Sequence, residues 1–120
     1  MSIITSPIIR IYTLSTAKAL SAGVTAYSNS FLADRMRGFV AMQAIISGAS
    51  PSVTISQQCS IDNVNWYDPT DATGTALGAV ATALTASRYA QVSPVICKYI
   101  RYKFTPINDT TLTYYLISQE

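Results

Sequence analysis

The sequence predicts an all-β fold, a single antiparallel β-sandwich, and three stretches predict it. In the first, Val53, Ile55, Cys59 and Ile61 alternate with Thr54, Ser56, Gln58 and Ser60, the period of a strand with one buried face. In the second, Asp62-Asn63 is followed by a short segment starting at Val64 and carrying the single tryptophan, Trp66, the signature of a tight turn and a return strand. In the third, Ile100, Tyr102 and Phe104 face one way while Tyr99, Arg101 and Lys103 face the other. Alternating strands punctuated by turn residues at this spacing pack as two sheets face to face.

The remaining elements follow in chain order. At 120 residues and 12.9 kDa the chain suits one domain with one core. Residues 3–14 read as an extended N-terminal arm or first strand, with Ile9 and Ile11 on one face and Ile8, Tyr12 and Leu14 on the other, so both sides are expected to be covered. Residues 17–26 are small and polar and suit a turn around Gly23; residues 25–32 suit a short strand, and Asp34-Arg35-Met36-Arg37-Gly38 punctuates the chain. Residues 39–47 form the next strand, Phe39, Ala41 and Ile45 projecting one way and Val40, Met42 and Ile46 the other, bounded by Gly38 and by Gly48-Ala49-Ser50-Pro51. Gln57 interrupts the inward row of its strand and is expected near an edge or a neighbour.

Residues 70–87 are dominated by Ala, Thr and Gly and read as a long loop or weak strands, with Ala79–Leu84 the best strand among them. Pro106-Ile107-Asn108-Asp109 reads as a turn, after which Leu112, Tyr114 and Leu116 share one face of a final strand. The last two strands are expected to pair as a hairpin. No internal repeat, heptad or linker divides the chain.

Charged residues make up only 12% of the chain against 49% hydrophobic, where soluble domains average about 25% charged. Obligate interfaces are more apolar than ordinary surface, so the deficit points to a surface covered by other subunits. The bland alternative is a monomer whose surface is rich in Ser, Thr, Asn and Gln. A net charge of +2 and a pI near 8.6, with Arg35 and Arg37 only a local pair, carry no nucleic-acid footprint. The first 14 residues lack the cationic start of a secretory signal and are expected to belong to the mature fold. No apolar run reaches the ~20 residues of a membrane span. Cys59 and Cys97 are expected to stay reduced, as a single pair without a signal sequence usually does.

No catalytic constellation emerges. The chain has no histidine, which removes the commonest general base and the usual transition-metal ligand. No serine sits in a nucleophile-elbow context, so an enzyme, a cofactor and a catalytic residue are all unexpected. Asp62, Asp68 and Asp71 could gather as oxygen ligands for Ca²⁺, but their spacing matches no EF-hand loop, and turn duty explains each of them; no metal site is expected. Of the eight tyrosines, Tyr27, Tyr67, Tyr89, Tyr99 and Tyr115 are expected to be exposed. They leave carbohydrate stacking open, with interface duty the better reading of the same amphipathic rings. Trp66 is expected in the core, its indole nitrogen reaching a loop carbonyl. Arg101 is expected to pair with Asp62 or Asp68, an exposed contact worth about 0–1 kcal/mol.

The runs Val53-Thr54-Ile55-Ser56, Ser60-Ile61-Asp62-Asn63-Val64-Asn65-Trp66 and Lys98-Tyr99-Ile100-Arg101-Tyr102 resemble small β-sandwich structural proteins of tailed bacteriophages. In these a strand ends in a Ser-x-Asp-Gly/Asn-x-x-Trp hairpin and a later strand reads Arg/Lys-Tyr-Ile-Arg. The resemblance runs from Thr25 to the C-terminal strands, and discoidin-like sandwich modules share both motifs. Asn63 stands where the pattern usually has Gly, a residue that still accepts positive φ, and the Ala/Thr-rich stretch 70–87 has no counterpart in it.

The resemblance implies a jelly-roll, immunoglobulin-like or galactose-binding-like sandwich in which Asp62, Asn63, Trp66, Tyr99 and Arg101 are structural. It implies a virion protein assembled in the host cytoplasm, foremost a capsid decoration (cement) protein contacting the major capsid protein or other virion proteins. Tail, neck or baseplate components and a carbohydrate-binding attachment module are the alternatives. Composition adds a homo-oligomer and no nucleic-acid or membrane partner. The expected interface residues are Ile8, Ile9, Ile11, Tyr12 and Leu14 of the arm with Arg35, Met36 and Arg37 of the following loop.

Overall fold

A computed structural model describes residues 9–33 and 36–119, the side chains of residues 37–39 excepted. Every regular element among them is a strand: β1 (Ile9–Leu20), β2 (Ala26–Tyr27), β3 (Phe31–Leu32), β4 (Arg37–Ser47), β5 (Ser52–Ser60), β6 (Ala79–Leu84), β7 (Arg88–Val92), β8 (Tyr99–Asn108) and β9 (Thr110–Gln119). They form two antiparallel sheets, one ordered β1-β9-β4-β7 and the other β2-β8-β5-β6 with β3 also on β8. The chain is a β-sandwich, as its alternation predicts.

The inward rows are those read from the sequence. Met42 and Ala44 of β4 and Leu112, Tyr114 and Leu116 of β9 meet Val53 and Ile55 of β5 and Ile100, Tyr102 and Phe104 of β8. All are essentially fully buried, and each large side chain so buried is worth about 1.5–3 kcal/mol. Tyr114 is the hub, its ring edge-to-face with Tyr102 at 5.0 Å and with Phe104 at 5.9 Å.

The expected hairpin of the last two strands does not form: β8 and β9 lie in different sheets. The chain turns the corner at Asp109, whose carboxylate accepts a hydrogen bond from the Ala22 amide at 2.8 Å. Thr110 fixes the far side, its hydroxyl accepting from the Ser52 amide at 3.0 Å. Period-2 alternation tells which face of a strand is buried and is silent about the neighbour, so two apolar rows that pack against each other across a core read like two rows side by side.

Other departures are local. Residues 17–20, expected in a turn, continue β1, which stays paired with β9 to Leu20 through two irregularities, with Ala17 at φ 42°. The turn is confined to residues 21–25, where Gly23 takes φ 75° and donates to the Pro106 carbonyl. The strand expected over 25–32 is two short pieces, β2 and β3. Between them Ser28 takes over the ladder, its amide donating to the Tyr102 carbonyl and its hydroxyl accepting from the Tyr102 amide.

β5 ends at Ser60, so Ile61 is exposed rather than inward. The return strand after Asp62-Asn63 reduces to one bridge, Cys59 with Tyr67. β6 occupies Ala79–Leu84 as expected, and it is approached closely by the turn before it: a Cβ on Gly78 would stand 2.6 Å from the Gln57 carbonyl oxygen and 3.1 Å from Pro69. β7 carries only a weak sequence signal, because Arg88-Tyr89-Ala90-Gln91-Val92 is a short edge strand in which only Ala90 and Val92 pack against the core.

Candidate functional site

The two outer faces of the sandwich differ in chemistry. On the β1-β9-β4-β7 sheet the register lines up Ile11, Ile117, Ala41 and Gln91 in one row and Thr13, Tyr115, Gln43 and Tyr89 in the next. Ile45 continues the face opposite Thr113. None of these residues is charged, and Ile11 and Tyr89 are 62% and 63% exposed. A shallow depression lies among Ile9, Ala41, Tyr89 and Ile117. Sequence alternation gives this face its identity, since Ile9, Ile11, Ala41 and Ile45 are apolar on the side opposite the core.

The outer face of the other sheet is polar and knitted together. Arg101 projects from β8 and its guanidinium carbon stands 4.1 Å from the Tyr27 ring centroid and 4.7 Å from that of Trp66. Its Nε donates to Gln58 Oε1 at 2.8 Å, and Gln58 Nε2 donates to Asp68 Oδ1 at 3.0 Å. Lys103 Nζ completes the chain with bonds of 3.1 Å to both Asp68 oxygens. Gln58, ahead of Lys103, holds the Asp68 carboxyl below its ordinary value.

The Asp62 loop is closed on itself. Asp62 Oδ1 accepts from the Val64 and Asn65 amides and the Ser60 hydroxyl, and Oδ2 accepts from Asn65 Nδ2. Asn63 sits at φ 61°, in the left-handed region its side chain tolerates. The amides of Asn65 and Val64 hold the Asp62 carboxyl well below the usual carboxylate range. Asp71 does the same for its own turn, accepting from Thr73 and Thr75. The aspartates therefore do not converge, and among the described residues no three His, Cys, Asp or Glu side chains gather as a metal site would need.

At one end of the sandwich the Asp62 loop and the crossover from β7 to β8 flank a groove of about 450 Å³, lined among others by Cys59, Ile61, Tyr67, Ile96 and Cys97. Ile96 and Ile61 are 99% and 81% exposed beside it. Gln57, the polar residue on an inward row, is buried here: it donates to the Val95 carbonyl at 2.8 Å and accepts from the Val95 amide at 3.0 Å. An amide side chain thus stands in for a strand partner to irregular backbone, which offsets the cost of burying it.

The residues expected at an interface divide. Ile9 and Ile11 are exposed on the uncharged face. Tyr12 turns inward and stacks on Phe31 at 4.4 Å, Leu14 is in the core, and Met36 packs against it. Arg37 begins β4 opposite Gln119 at the rim of the face. Ile8 and Arg35 lie outside the described residues. Residues 9–14 are thus part of a long edge strand laddered to β9.

Among the motif residues, Trp66 is half-buried on the outer face instead of in the core, where its ring packs on the outward-facing Arg101. Arg101 reaches Asp68 through Gln58, and Lys103 makes the direct ion pair. Tyr99 is half-buried, with Lys98 Nζ 5.5 Å from its ring centroid. Tyr27, Tyr67 and Tyr89 are exposed as expected, while Tyr115 is half-buried on the uncharged face. Ile117, which the sequence reading did not single out, lies on the face opposite the Leu112, Tyr114 and Leu116 row.

These features define a class, a small all-β sandwich of two antiparallel sheets. A similar fold is seen in the crystal structure of the SPBc2 prophage-derived protein YomS, with a TM-score of 0.63 and 15% sequence identity over 100% of each chain. No protein-family model and no curated protein sequence matches the chain.

Proposed function

We propose that this protein is a non-enzymatic structural protein of a tailed-bacteriophage particle, a capsid decoration protein that stabilises the particle through repeated protein contacts. The observation that carries the reading is the uncharged outer face of the β1-β9-β4-β7 sheet, with Ile11 and Tyr89 more than half exposed. An exposed, uncharged sheet face of this kind fits a protein partner, because interface cores are depleted in charge and enriched in aromatic residues. A phage origin draws its support from the full-length likeness of fold to a prophage-derived protein and from the motif resemblance. The lack of histidine supports a role without catalysis.

The partners in this reading are the major capsid protein or another virion protein and further copies of this chain. Repetition on a symmetric lattice raises the avidity of individually modest contacts. Cosedimentation with capsids and, separately, with isolated tails tests it. Saturable, symmetry-related occupancy on capsids supports decoration, occupancy on tails alone moves the protein to a tail or baseplate position, and binding to neither, with a glycan-array signal instead, replaces the reading with carbohydrate attachment.

A further inference from the structure

We infer that Cys59 and Cys97 are a disulfide-forming pair that closes when the protein meets a low-molecular-weight disulfide such as oxidised glutathione. β7 belongs to one sheet and β8 to the other, so residues 93–98 cross the open end of the sandwich without a ladder of their own. Gln57 holds this crossover through both backbone groups of Val95. The same Gln57 Nε2 lies 3.3 Å from Cys59 Sγ and 3.4 Å from Cys97 Sγ. One nitrogen touching both sulfurs makes them neighbours, one next to the end of β5 and one on the crossover.

The two cysteines are free and half-buried, and both line the groove beneath Ile96, so a tripeptide disulfide can approach. A disulfide needs Cα atoms about 4.4–6.8 Å apart. Cys97 lies on irregular backbone whose small shifts break no strand pairing, so the geometry is within its reach.

The chemistry balances. The Cys59 thiolate attacks one sulfur of oxidised glutathione, the glutathione S–S bond breaks, and one glutathione leaves as the thiol. Cys97 then loses its proton to solvent and displaces the second glutathione, forming the Cys59–Cys97 bond. Two protein thiols are oxidised by two electrons and the glutathione disulfide is reduced to two thiols. Burial and the neighbouring Cys59 push the Cys97 thiol up to about 12, so ring closure through its thiolate speeds up as pH rises. The product ties the crossover to β5 and closes a long loop in the unfolded chain, the condition under which a disulfide constrains unfolding most.

Wild-type protein treated with excess oxidised glutathione at mildly alkaline pH, then analysed by intact mass and peptide mapping, tests the inference. The expected product has lost two hydrogens, carries no glutathione, links the two cysteine peptides within one chain, and unfolds at a higher denaturant concentration than the reduced protein. Cys97→Ser is expected to stop at the glutathione adduct with no such gain. Unreacted thiols, a persistent glutathione adduct on the wild type, a bond between two chains, or a linked product with an unchanged midpoint would each overturn it.

Discussion

Tyr102 and Tyr114 meet edge to face at 5.0 Å across the core, although their strands are joined only through Asp109. The chain folds two alternating strands that adjoin in sequence onto each other as opposite walls of the sandwich. Tyr114→Ala removes the hub of that contact and is expected to cost about 3–5 kcal/mol, the range for large aromatic truncation in a core. Urea unfolding followed by circular dichroism measures it.

The same pair makes stability sensitive to alkali. Burial pushes both hydroxyls up from the ordinary value of 10.0. The unfolded chain therefore gives up these protons at lower pH than the folded one, so their contribution is fully present below about pH 10 and is lost as pH rises above it. Denaturant midpoints are expected to fall above that pH, and less steeply in Tyr102→Phe.

The sign is opposite at Asp62. Its carboxyl is depressed by the loop amides, so the stability it contributes is present above the ordinary Asp value of 3.8 and is lost as pH falls below it. Asp62→Ala is expected to abolish hydrogen-exchange protection at the Val64 and Asn65 amides at neutral pH while leaving the β5 and β8 amides protected.

Arg101 fastens the Trp66 segment to the sheet through stacking that only a planar cation supplies. Arg101→Lys is expected to cost about 1 kcal/mol, the scale of a partly exposed cation–π contact. Because Trp66 is the single tryptophan, increased quenching of its fluorescence by acrylamide reports the loss directly.

Gly78 leaves no room for a side chain beside the Gln57 carbonyl. Gly78→Ala forces β6 away from β5 and is expected to cost about 1–3 kcal/mol, in the range of overpacked sites, again read from denaturant unfolding.

The buried rows were legible because strand period marks faces: Met42, Ile55, Ile100, Phe104 and Leu116 all lie where alternation puts them. Partners across a sheet or across the core were not legible, since alternation is the same for both, and this is why β8 and β9 read as a hairpin. β7 escaped because it is a short edge strand whose inward row is reduced to Ala90 and Val92. At the surface, the low charge of the sequence is matched by an uncharged sheet face, on which Ile9 and Ile11 are exposed. Tyr12 and Leu14, on the opposite face of the strand, were counted with them as interface residues because a strand apolar on both sides does not say which side meets its own core.

The central claim is that the uncharged sheet face seats the protein on its particle. The most direct measurement is cosedimentation of Ile11→Lys and Ile45→Lys with capsids lacking the protein, beside wild type at equal concentration. Both side chains are exposed, so the variants are expected to fold as wild type does by circular dichroism, and each places a charge on the proposed contact face. The account predicts saturating occupancy for wild type and at least a tenfold weaker binding for either variant, about 1.4 kcal/mol. Wild-type occupancy retained by both folded variants would contradict it.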